Sequence, residues 1–424
     1  MKMRIFRFVA FLVTLLSVSV AVSCEQTEPA PQPQEDMLSV IPSRAMLFAA
    51  KDNEADTLYV NTNVESWSYD APEWVIAEKD SNKLIVNVAD NGGELRQGNI
   101  FFAAGTAPTV QIEVCQRAVR SIRQVVYIEV NDCNPLNILE YNLADGSPFF
   151  DAVILFAANI NYDSENNRVY LHNNPNVQAL LDDTDTYLQP LRERGIKVYL
   201  GILGNHDAAG VAQLSAWGAR QWAQEVADVC CRYKLDGVNL DDEYSKAPDL
   251  QNEWFTARSA SAGARLAYEL KVALSEKCSW PTEVSIYEYG SLYRLPAVTV
   301  DGVKHTQSEF IDMVLADYGC QVEPYGDLSY AQCSGASIQL AYGDKLSETT
   351  AKSILSDGYG WCMWFAFDPS GTGGVNNNLE HSLKQFDVAA RVFYNTQMLP
   401  PKMVYNKRGE GVYDPLPYAI GLGQ

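Results

Sequence analysis

From residue 120 onward the chain alternates short, nearly continuous apolar runs with stretches of helical periodicity. The runs are Val125–Val130, Asp151–Ala157, Ile196–Leu203, Leu235–Asp241, Val284–Tyr289, Ile311–Ala316, Ile338–Ala341 and Trp361–Phe367. A strand that is apolar on both sides needs cover on both faces, which is the situation of parallel strands joined by crossover helices. Between the third and fourth runs, Trp222, Val226, Val229, Cys230 and Tyr233 recur at helical spacing, so that connector has one apolar face. Eight such strands over residues 120–424 predict an α/β fold, a (β/α)8 TIM barrel. An open doubly wound sheet is the alternative, but no GxGxxG or GxxxxGKS/T phosphate loop accompanies the strands.

Residues 38–119 read differently. Thr57–Asn61, Lys83–Val88 and Val110–Val114 alternate apolar and polar residues in whole or in part, with breaks at Asp52-Asn53 and Asn91-Gly92-Gly93. That spacing predicts a small all-β sandwich, with Trp67 and Trp74 expected in its core rather than as a sugar platform. Upstream, Lys2, Arg4 and Arg7 precede an uncharged run, Phe8–Val22, too short to span a bilayer, and then Ser23-Cys24. The arrangement resembles a bacterial lipobox. It implies a signal peptide over residues 1–23 and lipidation of Cys24, leaving the protein exported and anchored to the outer membrane, with surface exposure as a further expectation. Residues 24–37, with Pro29, Pro31 and Pro33, read as a flexible tether.

The charge balance removes other partners. Against 32 Lys and Arg stand 53 Asp and Glu, a net charge of −21 with only 4 His. Phosphate binding needs clustered basic surface, so nucleic acid is not an expected partner, and electrostatic attraction to anionic lipid is equally disfavoured. Cys115, Cys133, Cys230, Cys231, Cys278, Cys320, Cys333 and Cys362 form no CxxC. Neither a zinc site nor a catalytic thiol is expected. Export permits disulfides, while Cys115 and Cys362, inside apolar runs, read as small core residues.

In a barrel of this kind, function sits at the carboxyl ends of the strands. Those ends supply Glu129 and Asn131, Asn159 and Asn161, then Asn205, His206 and Asp207; they continue with Asn239, Asp241 and Glu243, Tyr287 and Tyr289, Tyr318, and Trp364 with Asp368. Amides, carboxylates and aromatic rings suit a neutral polyhydroxylated ligand, because rings stack on sugar C–H faces while amides and carboxylates bind hydroxyls. The sharpest stretch is Leu235-Asp236-Gly237-Val238-Asn239-Leu240-Asp241-Asp242-Glu243-Tyr244. Strand alternation puts Asn239, Asp241 and Glu243 on one face and Asp242 on the other, which also separates Asp242 from any metal-like cluster. Two carboxylates so close repel, which raises the pKa of one and lets it hold a proton near neutrality.

This run resembles the DGxDxDxE signature of glycoside hydrolase family 18 and, with its closing Glu-Tyr, the endo-β-N-acetylglucosaminidases H and F. Companion matches are Glu129-Val130-Asn131 with Asn134-Pro135-Leu136-Asn137, Leu155–Asn161, Leu171–Val177 and Leu203–Gly210. Scattered positions upstream (Trp67, Trp74, Asn91, Arg96, Gly98 and Gln111–Gln116) resemble the BACON module, a family associated with glycan or mucin binding. The first resemblance implies substrate-assisted, retaining hydrolysis of the GlcNAc-β-1,4-GlcNAc core of N-linked glycans, an exception to the two-carboxylate scheme. Glu243 would be the acid and base, Asp241 the group assisting the acetamido nucleophile, and Tyr318 a hydroxyl bonded to that acetamido group. Asn239, Glu129, Asn131, Asn159, Asn161, Asn205, His206, Asp207, Tyr244, Tyr287, Tyr289 and Trp364 would bind substrate, Trp364 as the floor of a sugar subsite. Asn239 stands where the signature has Asp; it cannot share a proton with Asp241, but is expected to donate a hydrogen bond to it. No cofactor is implied, and a monomer is expected. Chitin hydrolysis and a catalytically retired glycan-binding barrel are the alternative functions.

Overall fold

The computed structural model describes residues 35–420 apart from 49, 51, 52, 54, 94 and 370–378. The expected signal peptide, Cys24 and most of the expected tether lie outside the described residues. Among the described residues, no helix is long and apolar enough to cross a membrane.

Eight parallel strands form the barrel, in chain order Arg123–Glu129, Ala152–Asp163, Lys197–Gly204, Gly237–Leu240, Glu283–Glu288, Met313–Ala316, Ser334–Gln339 and Trp361–Phe365. They are hydrogen-bonded in sequence, the eighth pairing with the first. A bridge between Val314 and Cys333 brings the sixth and seventh together. The expected barrel is therefore present. The second strand extends past its run to Asp163, and the seventh departs further: it begins at Ser334, while Leu340–Tyr342 turns into a 3-10 helix. Its Ser-Gly-Ala-Ser stretch has no apolar pattern to read. The small residues are needed because a Cβ at Gly335 would lie within 2.8 Å of Tyr359 and Ile354.

Alternation along the strands separates two cores. Val125, Tyr127, Ile154, Tyr199, Met313, Leu315, Trp361 and Met363 fill the barrel. Val126, Ile128, Val153, Leu155, Val198, Leu200, Cys362 and Trp364 face the helices. The helices Ala216–Arg232 and Ala260–Lys277 start at serine N-caps, Ser215 and Ser259. They are linked by a disulfide between Cys231 and Cys278. Cys115 and Cys362 are buried free thiols.

The N-terminal strands form two four-stranded sheets. Leu58, Leu84, Val86, Ile100, Phe102 and Val114 meet between them. Trp67 belongs to this core, its indole N–H donating to the Ser81 carbonyl. Trp74 packs against the core beneath the Arg96 guanidinium. A Cβ at Gly98 would lie 2.5 Å from the Pro72 ring.

This unit is fastened beside Asp151, which precedes the second barrel strand, so it sits at the end of the barrel opposite the strands' carboxyl ends. Asp151 accepts from Arg117 at 3.0 Å and from Arg120 at 3.1 Å, and from the Gln124 N–H. Arg117 also reaches the Arg194 carbonyl at 2.6 Å. Burial, then the neighbouring Arg120 charge, pulls the Arg117 pKa down to about 10, so the guanidinium needs its carboxylate. Substituting Asp151→Ala leaves two buried cations unmatched, and we expect it to cost about 3–5 kcal/mol of unfolding free energy, measured by denaturant titration.

Candidate active site

The fourth strand ends at Leu240, and the chain runs straight on into Asp241, Asp242 and Glu243 at the barrel mouth. Asp242 points away, as alternation requires. Its Oδ2 accepts the Ser291 N–H at 2.8 Å, and Arg258 lies 3.6 Å from Oδ1. Gly290, at φ +58°, lets the loop pass so close that a Cβ there would sit 2.9 Å from the same carboxylate. Asp241 turns inward. It is only 4% exposed, and its Oδ1 is buried without a hydrogen-bond partner. Burial, then the charges of Glu243, Asp242 and Asp317, holds its pKa well above the usual carboxylate range. Glu243 stands half-buried next to it, its backbone carbonyl receiving the Gly204 N–H.

Below Asp241 lies a polar chain of fixed direction. Ser285 donates its one hydroxyl proton to the Val238 carbonyl at 3.0 Å, so it must accept from Asn239 Nδ2 at 2.9 Å. Asn239 Oδ1 in turn accepts from the Tyr127 hydroxyl at 2.8 Å. The expectation that Asn239 contacts substrate and donates to Asp241 is corrected here. It is fully buried, and its amide serves Tyr127 and Ser285. Its register partner in the fifth strand is Ser285 itself, a neighbour that one strand read alone does not reveal.

Aromatic rings close the mouth. Phe156 meets Tyr127 at 5.5 Å and Phe365 at 5.7 Å; Phe365 meets Tyr318 at 5.1 Å; Tyr318 meets Tyr287 at 5.9 Å. Tyr289 stacks on Tyr287 and is 40% exposed. The Tyr287 hydroxyl donates to Asp317 at 2.6 Å. Burial, followed by the Asp241 charge, raises the Tyr318 pKa, keeping that hydroxyl protonated. Trp364, expected as a sugar floor, is not in the mouth. It is completely buried on the helix side, against Phe149 and Phe386, with its indole N–H on Gln124. Strand parity explains the error: Trp361, Met363 and Phe365 point in, so Trp364 points out.

On the other side of the mouth a cleft is lined by Glu129, Asn131, Phe156, Asn159, Asn205, His206 and Tyr244 among others. Glu129 has a raised pKa, chiefly from burial and then from Asp132 and Asp368. Asn159 donates to the Gly204 carbonyl at 3.2 Å. His206 and Tyr244 both have positive φ, join through the His206 N–H and Tyr244 carbonyl, and bring their rings to 5.2 Å. Two expected members are elsewhere. Asp207 accepts the Tyr162 and Ala209 backbone N–H groups at 2.8 and 2.7 Å, which shapes the loop, and it is not among the residues lining this cleft. Asn161 lies on the outward extension of the second strand, paired with Tyr170. Among the described residues, no group of His, Cys, Asp and Glu is arranged to hold a metal.

No family model matches the chain. It is 38% identical over 291 residues to endo-β-N-acetylglucosaminidase F1 of Elizabethkingia meningoseptica, covering 68% of this chain and 82% of that relative. The chain belongs to the endo-β-N-acetylglucosaminidase family. It is thus a glycosidase. A second relative, an endo-β-N-acetylglucosaminidase of Flavobacterium sp. (strain SK1022), is 48% identical over 122 residues, 28% of this chain and 38% of that one. The crystal structure of Bacteroides thetaiotamicron EndoBT-3987 with a Man9GlcNAc2Asn substrate is similar with a TM-score of 0.65 at 34% identity, over 91% of this chain and 99% of that chain.

Tyr127, Phe156, Phe365, Ser285 and Asp317 complete the glycosidase mouth and were not singled out from sequence. Tyr127 was accessible through parity, two positions before Glu129, whereas Phe365 was not, because reading Trp364 as inward assigns it the opposite face. Asp241 yields a pH-dependent prediction. A carboxyl whose folded pKa is raised contributes fully below its unfolded value and loses that contribution as pH rises through the folded one. Asp241→Asn should therefore raise the melting temperature by a few degrees at pH 8, the gain shrinking toward pH 4, as followed by thermal scans across that range.

Proposed function

We propose that this glycosidase hydrolyses the GlcNAc-β-1,4-GlcNAc core of N-linked glycans by a retaining, substrate-assisted route. The observation that carries the reading is a buried, unpartnered Asp241 oxygen beside Glu243 at the barrel mouth. The named activities of the relatives and the glycan bound to the similar crystal structure support the same substrate class.

In this reading Asp241 holds a proton in the free site, because burial and then the neighbouring Glu243 charge oppose its ionisation. The substrate acetamido N–H docks on the free Asp241 oxygen, which favours the ionised form of Asp241 and transfers the proton to Glu243. Glu243 passes that proton to the glycosidic oxygen as the acetamido carbonyl oxygen attacks the anomeric carbon. The C–O bond to the leaving sugar breaks and an oxazolinium forms, its positive charge facing the Asp241 carboxylate. Water then attacks the anomeric carbon, giving its proton to Glu243 as the bond from that carbon to the acetamido oxygen breaks and the acetamido group is restored, so the sum is addition of one water with configuration retained. The protonated Tyr318 hydroxyl is suited to donate to the acetamido oxygen. Tyr289, Tyr244 and the rim amides offer stacking faces and hydrogen bonds to the sugars.

The setting follows the same reading: lipid attachment at Cys24 to the outer membrane, the tether of residues 24–37, and a BACON-like unit over residues 38–119 acting as a spacer before a monomeric catalytic barrel over residues 120–424. Glycoproteins with high-mannose and with complex-type chains, incubated with the protein and examined by mass spectrometry, should lose glycans one GlcNAc short and keep a single GlcNAc on Asn. Glu243→Gln should lower turnover at least about a hundredfold with glycan binding retained; turnover near the wild-type value would remove Glu243 from the acid role.

A further inference from the structure

The sequence motifs Asn134-Pro135-Leu136-Asn137 and Asn174-Pro175-Asn176 touch no part of the chemistry above, yet the structure gives their side chains one common task. Asn134 Nδ2 donates to the Asn406 and Asp414 carbonyls, both at 2.9 Å. Asn137 exchanges two bonds with the Tyr405 backbone, at 2.9 and 2.7 Å. The Tyr413 hydroxyl bonds the Val130 carbonyl, one residue from the cleft residues Glu129 and Asn131. The C-terminal segment Tyr405–Asp414 is thus strapped along the loop that follows the first barrel strand.

The strap also fixes the orientation of a cleft side chain. The Gly411 backbone N–H donates to Asn176 Oδ1 at 2.7 Å, so Asn176 must offer its NH2 on the other side. That NH2 donates to Asn131 Oδ1 at 2.7 Å. Asn174 acts in the same sense: its Oδ1 caps the helix Pro175–Asp182 through the Asn176 and Val177 N–H groups, leaving its NH2 for Asn131 Oδ1 at 3.4 Å. With its oxygen accepting from both, Asn131 can present only N–H to the cleft it lines. No protein acceptor is bonded to that NH2 among the described residues.

We propose that the strap, acting through Asn176, sets the hydrogen-bonding polarity of the cleft rim, making Asn131 a dedicated N–H donor to an acceptor oxygen of the bound glycan beside the acceptor carboxyl of Glu129. This rests on the proposed glycan substrate and adds a specificity residue, Asn131, with a positioning residue, Asn176, behind it. A wrongly turned Asn131 amide would set oxygen against oxygen.

Steady-state kinetics on a glycoprotein substrate, with a thermal scan of each variant, tests it. Asn131→Asp keeps both oxygens that accept from Asn174 and Asn176 but has no N–H. It should raise KM about five- to tenfold with kcat and melting temperature close to wild type. Asn176→Asp still accepts from Gly411 but no longer donates, so Asn131 can turn over; KM should rise in the same way. In an Asn131→Ala background Asn176→Asp should add nothing to KM, since the two act as one unit. Wild-type KM in Asn131→Asp, or in Asn131→Ala should the first variant not fold, overturns the donor assignment. A raised KM in Asn131→Asp with wild-type KM in Asn176→Asp overturns the relay from the strap. Loss of kcat and melting temperature in Asn176→Asp at unchanged KM would make the strap a structural brace and overturn the relay equally. A wild-type protein that cleaves no N-glycan overturns the substrate reading itself, and this inference with it; cleavage with unaltered variants overturns this inference alone.

Discussion

A carboxyl group held out of water without a partner is the constraint around which this glycosidase is arranged. Asp241 has one oxygen in a dry, unpaired position, with Glu243, Asp242 and Asp317 adding negative potential. A buried ionised carboxylate in such a place is costly, which raises the group's pKa and favours its protonated form. Each neighbouring feature preserves that condition. Asn239 is tied to Tyr127 and Ser285 and is not available to solvate Asp241 from below. Asp242 is drawn off toward Ser291 and Arg258. The rings of Phe156, Phe365 and Tyr318 meet edge-on or tilted across the mouth.

The barrel was legible because burial on both faces leaves continuous apolar runs, and seven of the eight runs became strands; the seventh strand lies mostly ahead of its run, in small residues with no apolar pattern. The fourth strand's carboxyl end was legible because polar residues at alternate positions are expensive unless they open into a mouth. Errors arose where a residue's role depends on a neighbour distant in sequence. Asn239 was read against Asp241, two residues away, when its partners stand 112 and 46 positions off in Tyr127 and Ser285. Trp364 was read by residue type when its parity, set by Trp361 and Met363, sends it into the helix layer. Asp207 was read as a ligand-binding carboxylate, whereas each of its oxygens accepts a backbone N–H and holds the loop, a task set by Tyr162, 45 positions away. Tyr127 and Phe365 lay in apolar runs, where an inward aromatic cannot be told from an outward one until the strand's phase is known.

The ends of the barrel carry different loads. At the amino ends of the strands, Asp151 gathers Arg117 and Arg120 and joins the small sandwich to the barrel through buried charges. At the carboxyl ends, the asparagines after the first and second strands clamp the C-terminal strap. Asparagine suits this work because one side chain offers both a donor and an acceptor of fixed sense. In the proposed relay the Gly411 backbone N–H dictates, through Asn176, what Asn131 shows to a ligand. The separation between Gly411 and Asn176 alone is 235 positions, which is why neither partner could be read from local sequence.

The protonation state of Asp241 in the free protein is the most direct test of this account. Infrared difference spectra between wild type and Asp241→Asn at neutral pH isolate the carbonyl stretch of that one carboxyl group. The account predicts a protonated carboxylic-acid band in the wild type that is absent from the variant and gives way to a carboxylate band when an N-glycan is bound to Asp241. A carboxylate band already present in the free protein at neutral pH would contradict it.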